Sequence, residues 1–258
     1  DELRKQAKLS SGLEDVFFGS SHRKKSALFL QQPRGKFLEK TPPAILADSL
    51  FEDVDAVFAD LENDGDLDLV IAAGGNEYRG MDEPKKQRFY RNDGNGNFQR
   101  VDFQGIYMTA ACVLPADFNG DGLVDFFFGA RAEPWNYGIT PKSALLKNKG
   151  NGEFENVPEQ IDGGLQEAGL VKNGAWSDVD ADGDPDLVLA IEWEPLTIFL
   201  NNGGKFEKTI PVTSLTLSTS HPSHPLKGWW NFVLPHDFDG DGDVDILAGN
   251  LGENAKFK

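Results

Sequence analysis

Four nine-residue stretches space side-chain oxygens as a hard divalent cation needs them. They are Asp60-Leu-Glu-Asn-Asp-Gly-Asp-Leu-Asp68, Asp117-Phe-Asn-Gly-Asp-Gly-Leu-Val-Asp125, Asp178-Val-Asp-Ala-Asp-Gly-Asp-Pro-Asp186 and Asp237-Phe-Asp-Gly-Asp-Gly-Asp-Val-Asp245. Oxygen-bearing side chains fall at loop positions 1, 3, 5 and 9. The sets are Asp60, Glu62, Asp64, Asp68; Asp117, Asn119, Asp121, Asp125; Asp178, Asp180, Asp182, Asp186; and Asp237, Asp239, Asp241, Asp245. Backbone carbonyls at position 7 (Asp66, Leu123, Asp184, Asp243) add another oxygen to each. Calcium takes roughly six to eight oxygen ligands, and a glycine at position 6 allows the sharp turn such a loop requires. Gly65, Gly122, Gly183 and Gly242 stand there.

The pattern predicts up to four structural Ca²⁺ ions. The bland alternative is a set of solvated Asp/Gly turns, against which stand four copies in register. An EF-hand is ruled out, because position 12 is Ile71, Phe128, Leu189 or Ala248 where a glutamate is needed. Fifteen of the sixteen side chains in the four sets are acids, and without a cation they repel at short range. The formal charge is −17, and four calcium ions bring it to −9. With a Kd on the order of 10⁻⁴ M, ~1 mM calcium stabilises the fold by roughly 1.4 kcal/mol per site, whereas sub-micromolar calcium contributes almost nothing. The expected location is therefore extracellular, at the cell surface or in the periplasm.

The elements around the loops repeat. The closing aspartates step through 15, 68, 125, 186 and 245; the copy at Asp15 is worn, with Ala7, Leu9 and Ser11 in place of its acids. A strand leads into each loop and an apolar run such as Leu187–Ile191 leaves it. A strand–turn–strand unit follows each of the first four copies, at Ser26–Phe37, Gln87–Phe98, Ser143–Phe154 and Leu196–Phe206. Four short antiparallel strands at a period near 58 residues predict an all-β chain, a β-propeller of four-stranded blades. No long segment has a 3.6-residue apolar period, so helix should be scarce. The whole chain, 1–258, reads as one propeller domain with repeats near 1–50, 51–107, 108–168, 169–226 and 227–258, the last partial.

Composition narrows the partners. The acidic balance argues against nucleic acid or an anionic membrane, and no apolar run approaches the roughly 18 to 20 residues of a membrane span. The start, Asp1-Glu2-Leu3-Arg4, does not read as a signal peptide, so such a segment is expected to have been removed or never present. One cysteine, Cys112, excludes a disulfide scaffold and reads as a buried small apolar residue.

In an antiparallel blade the calcium loops and Asn/Gly turns share one face. The long loops, 38–55, 74–86, 130–142, 155–173 and 207–228, share the other. Tyr78, Arg79, Trp135, Asn136, Tyr137, Trp193, Trp229 and Trp230 lie on or beside them, a mix of rings and polar groups suited to sugar or peptide recognition. Packing between blades is the competing reading for Trp176, Trp193, Trp229 and Trp230. Weaker candidates are His221-Pro-Ser-His224 as a metal pair, His236 beside Asp237, and Gly74-Gly75, which lacks a phosphate-loop lysine.

The loops, with Gly129-Ala130 and Ala248-Gly249 after them, resemble FG-GAP/VCBS repeats, which build the calcium-bearing propeller of integrin α subunits and many bacterial surface proteins. Glu192-Trp-Glu-Pro-Leu-Thr-Ile-Phe-Leu-Asn-Asn-Gly-Gly-Lys-Phe206 and the stretch from Gly228-Trp-Trp-Asn-Phe232 to Gly249-Asn-Leu-Gly-Glu-Asn-Ala-Lys-Phe257 look closer to Bacteroidetes-type VCBS proteins, which often carry an ASPIC/UnbV module. No such tail is visible here. The resemblance implies seven or eight blades acting in adhesion, carbohydrate binding or surface assembly. Seven blades need roughly 400 residues, so the chain reads as a fragment, with a closed five-bladed ring whose last blade is deficient as the alternative. The resulting expectation is an exported, non-catalytic binding or adhesion scaffold for a carbohydrate or surface protein. The alternatives are a propeller polysaccharide lyase or hydrolase, and a structural subunit of a cell-surface assembly.

Overall fold

Apolar runs between Asn/Gly turns become strands when their faces meet other apolar layers. The computed structural model describes residues 13–101, 105–157, 162–211 and 227–251, and seventeen strands form there. The first sheet holds β1 (Val16–Phe18), β2 (Ala27–Gln32) and β3 (Lys36–Glu39). The second holds β4 (Asp53–Ala59), β5 (Asp68–Ala73), β6 (Arg88–Asn92) and β7 (Phe98–Val101). The third holds β8 (Thr109–Ala116), β9 (Asp125–Ala132), β10 (Ala144–Asn148) and β11 (Phe154–Asn156). The fourth holds β12 (Leu170–Ser177), β13 (Asp186–Glu192), β14 (Thr197–Asn202) and β15 (Lys205–Thr209), and the fifth β16 (Trp230–His236) and β17 (Asp245–Asn250). Every sheet is antiparallel, with strands in chain order. Among the described residues, helix is confined to α1 (Pro43–Ala47) and the 3₁₀ turns Glu83–Lys85 and Leu165–Glu167. The residues Ala7, Leu9 and Ser11 of the worn loop, His221-Pro-Ser-His224, and the residues after Leu251 lie outside the described residues.

The register repeats as faithfully as the sequence. The last residue of the first strand faces the closing aspartate in four sheets: Ala59–Asp68, Ala116–Asp125, Ser177–Asp186 and His236–Asp245. Each of these pairs also shifts register near the far end of its first strand, at Asp53/Asp55, Ala110/Cys112, Val171/Asn173 and Trp230/Phe232. A bulge of this kind redirects one side chain without breaking the sheet.

The sheets stack in chain order. Phe17, Leu28, Leu69 and Ile71 join the first to the second; Val70, Phe89, Phe126 and Phe128 join the second to the third. Cys112, Phe127, Leu187 and Leu189 join the third to the fourth; Val188, Ala190 and Val233 join the fourth to the fifth. First strands of neighbouring sheets also touch, β4 with β8, β8 with β12 and β12 with β16. Strands β5 and β13 are buried at every position because both their faces are covered, which is why they read as continuous apolar runs. The outer faces of the stack are open: Phe18 is 58 % exposed and Leu247 51 %, although their counterparts Ile71 and Val188 are fully buried. At Gly129 an added Cβ would meet Val171 Cγ1 at 2.6 Å and Cys112 Sγ at 2.7 Å, so a side chain there would push the third and fourth sheets apart. Buried Arg88 pairs with Asp53 and lies 4.0 Å over the Phe51 ring, pinning the loop that carries α1 to the second sheet.

A repeated asparagine bolts one sheet to the next. Asn148 Nδ2 donates to Val124 O in its own loop (3.1 Å) and to Leu61 O of the preceding sheet (2.9 Å). Asn201 Nδ2 does the same, to Pro185 O (3.1 Å) and to Phe118 O (2.7 Å). The amide oxygens of Asn92, Asn148 and Asn201 accept from Gly96, Gly150 and Gly204 in the hairpin turns. An Asn201→Ala change strands two carbonyls and a glycine N–H, so urea unfolding should show a loss of about 2–3 kcal/mol. The same change at exposed Asn202 should stay within about 0.5 kcal/mol.

Candidate functional site

The four acidic loops share one scaffold. At position 1, Asp60, Asp117 and Asp178 accept from the backbone N–H groups of positions 5 and 6, at 2.7–3.1 Å. Asp237 accepts from Gly240 and Gly242. At position 5, Asp64, Asp121, Asp182 and Asp241 each accept from the N–H two residues on. The position-6 glycines Gly65, Gly122, Gly183 and Gly242 have φ between 83° and 97°, a region other residues resist.

Position 9 has a role the spacing alone does not reveal. Asp68 accepts from Leu61 N (2.8 Å) and from Asn92 N on the third strand (2.7 Å). Asp125 accepts from Phe118 N and Asn148 N, and Asp186 from Val179 N and Asn201 N. Asp15 keeps its bond to Gln31 N (2.8 Å) in the copy that has lost its acids. Burial pushes the carboxyls of Asp68 and Asp125 up to about 6 and raises that of Asp186, while the backbone N–H groups pull the other way.

The loops differ at position 3. In the fourth and fifth sheets, Asp178, Asp180 and Asp186, and Asp237, Asp239 and Asp245, bring carboxylate oxygens within 4.8 Å of one another. Asp182 and Asp241 stand outside these trios. In the second sheet Glu62 is held by Arg91 Nε at 2.6 Å. In the third, Asn119 donates to Asp125 and lies by Lys147, whose ammonium pairs with Asp121 at 3.1 Å. Among the described residues, the first two loops do not gather such a trio. A carboxylate offers about four acceptor positions, so the internal bonds leave each trio room for a cation of hard-oxygen preference.

The opposite face assembles part of the expected aromatic set. Trp193 Nε1 donates to Tyr137 Oη at 2.9 Å, Tyr137 Oη donates to Glu192, and the rings of Trp193 and Trp229 lie 5.1 Å apart. Lys172, at the register shift of β12, reaches Glu192 at 4.0 Å and lies 5.8 Å from the Trp229 ring. Partial burial and neighbouring Arg131 lower the Lys172 ammonium; burial and the Glu192 carboxylate raise the Tyr137 hydroxyl. Arg79 lies over the Trp135 ring at 5.3 Å, and Tyr78 meets His22 at 5.5 Å. Asn136 bonds within its own loop, and Trp230 packs against the core between the fourth and fifth sheets. Trp176 donates to Leu114 O and packs on Phe206, as a residue between sheets. His236 is a strand residue with its ring on Phe238, and Cys112 is buried and unpaired by disulfide. No motif marks Glu192 or Lys172 in the sequence; the one trace is that Glu192 closes an otherwise apolar strand.

Residues 178–248 match the profile of an FG-GAP-like repeat, a span that contains both carboxylate trios. The chain carries an FG-GAP-type repeat. A search of curated proteins returns no match. Among solved structures, the chain is similar to an Agrocybe aegerita lectin described as recognising non-reducing terminal N-acetylglucosamine, with 19 % identity, 96 % of this chain and 58 % of that one covered, and a TM-score of 0.57. It also aligns with the V. cholerae biofilm matrix protein Bap1 (17 % identity, 77 % and 29 % covered, TM-score 0.43). A third alignment is with the Tc holotoxin pore of Photorhabdus luminescens (19 %, 96 % and 11 %, TM-score 0.42). The chain spans less than two thirds of each of these proteins, and at such identities the lectin likeness is one of fold.

The two carboxylate roles separate by mutation. In chelator, Asp186→Ala should cost about 2–4 kcal/mol in urea unfolding, because two buried N–H groups lose their acceptor. Asp180→Ala should cost less than about 0.5 kcal/mol under the same conditions.

Proposed function

We propose that this chain forms part of a calcium-stabilised β-propeller that acts outside the cell as a non-catalytic binding or adhesion scaffold. Support for the propeller comes from sheets stacked in chain order, with first strands adjacent and spatial order equal to chain order within each sheet. The open outer faces fit a ring of seven or eight blades in which further repeats cover Phe18 and Leu247. Support for calcium comes from the donor chemistry of the loops. Asp178, Asp180 and Asp186 with the Asp184 carbonyl, and Asp237, Asp239 and Asp245 with the Asp243 carbonyl, would hold the ions most readily. Asp60, Glu62, Asp64, Asp68 and the Asp66 carbonyl, and Asp117, Asn119, Asp121, Asp125 and the Leu123 carbonyl, would have to release Arg91 and Lys147 first. Bound calcium would offset the charge crowding and clamp the turn between the first two strands. Such sites load at extracellular calcium levels, which favours the cell surface, medium or periplasm.

The observation that carries the binding role is the group of Tyr137, Trp193 and Trp229, held together by Glu192 and Lys172 across three sheets. Exposed rings fixed beside polar groups suit a carbohydrate or a surface protein. The lectin of similar fold adds support for a carbohydrate partner.

Millimolar calcium should raise the melting temperature by about 5 °C or more over chelated protein, and Asp180→Ala combined with Asp239→Ala should abolish most of that gain. A melting temperature indifferent to both would overturn the calcium role. On a glycan and surface-protein array, Trp193→Ala should lose the ligand that the unaltered chain retains; unchanged retention would remove the loop face from the binding site.

A further inference from the structure

Between each pair of neighbouring sheets, one contact bridges the loops opposite the acidic turns. The His22 and Tyr78 rings join the first and second sheets at 5.5 Å. Arg79 over Trp135 joins the second and third at 5.3 Å. The Trp193–Tyr137 hydrogen bond joins the third and fourth at 2.9 Å, and Trp193 against Trp229 joins the fourth and fifth at 5.1 Å. A contact involving at least one ring therefore crosses each of the four boundaries between the five sheets.

Half of these rings stand clear of the core, while His22, Tyr78 and Trp229 are half-buried. Trp135 is 64 % exposed, Tyr137 66 % and Trp193 48 %. Trp135 and Trp193 also sit at φ of 66° and 69°, in the left-handed region that bulky residues avoid. Strained backbone carrying an exposed indole, twice in equivalent loops, is the pattern expected where strain serves binding. Exposed Arg79 lies over the Trp135 ring at 5.3 Å and Lys172 lies 5.8 Å from the Trp229 ring, so these two rings have a cation beside them, while buried Glu192 fixes Tyr137 and Lys172 in place.

We propose that this series of rings is a track for an extended polysaccharide, whose pyranose units stack on successive rings as the chain crosses from sheet to sheet. The proposal rests on the reading of the loop face as a binding surface and names its ligand class. A pyranose ring has a C–H face for an indole or phenol and hydroxyls at its rim for guanidinium and ammonium groups. Peptides dock chiefly by extending a free sheet edge or filling an apolar groove. A loop face of separate rings with charges between them offers neither. Recognition of a single terminal sugar would call for one enclosed pocket, whereas Trp135, Tyr137 and Trp193 stand exposed on the loops of two sheets.

The test is calorimetric titration of the full chain, in calcium, with soluble plant, algal, fungal and bacterial polysaccharides, and then with size-graded oligosaccharides of whichever polysaccharide binds. Affinity should rise at least about tenfold from monosaccharide to hexasaccharide, and Trp135→Ala and Trp193→Ala should each weaken the hexasaccharide about fivefold. Both variants should keep the parental melting temperature, since both rings are exposed. If the monosaccharide binds as tightly as the hexasaccharide, or neither variant weakens the longer ligand, the track is wrong while the scaffold reading stands. If no polysaccharide binds and a displayed peptide library is retained through Trp193, the loop face binds protein and the polysaccharide proposal falls. If nothing is retained at all, both readings fall.

Discussion

A buried carboxylate with its oxygens satisfied by backbone N–H groups is the constraint on which this architecture turns. Asp68, Asp125 and Asp186 each tie the start of an acidic loop to the end of the third strand, so three strands are registered by one side chain. Such a group is expensive to bury without partners, and here the partners are the otherwise orphaned donors of a tight turn. The same third-strand residue then extends its own amide to the neighbouring sheet, as Asn148 and Asn201 do. Aspartate and asparagine together form a relay that starts inside one repeat and ends in another. The worn repeat retains the first half of it, Asp15 with Gln31, after the loop acids have gone.

That relay leaves the two ends of each sheet free for different tasks. One end carries the acidic loops, already shaped by their internal hydrogen bonds and, in two sheets, closed to within the span of one cation. The other carries longer connections, whose rings meet their neighbours across every sheet boundary. Between them the second strands β5 and β13 of the inner sheets are buried on both faces, a rigid wall that holds the two ends at fixed separation. The division resembles other scaffolds in which loops on a stiff frame do the recognising.

Much of this was legible in the sequence because the relevant signals are local. Spacing within nine residues located the turns, the apolar runs after Asp68, Asp125 and Asp186 located the second strands, and Asn/Gly pairs located the hairpins. The unread part lies in contacts between repeats. Glu62 is drawn to Arg91, on a different strand, and nothing within the loop foretells it. The asparagine bolts look like ordinary turn residues until the preceding sheet is in place beside them. Arg88 falls where the other sheets carry Ala27, Ala144 or Thr197, and only the packed partner Asp53 explains a charge there. Trp193 meets Tyr137 across 56 residues of chain, a proximity set by the stacking of sheets.

The lone thiol acquires a use from its position. Cys112 lies between the third and fourth sheets, against the glycine that leaves it room, and burial pushes its ionisation well above the ordinary range. A thiolate is the reactive species, so an alkylating reagent meets an inert sulfur while the two layers stay together. Labelling of this one atom would therefore keep time for their parting, and show whether adjacent layers come apart singly or all at once.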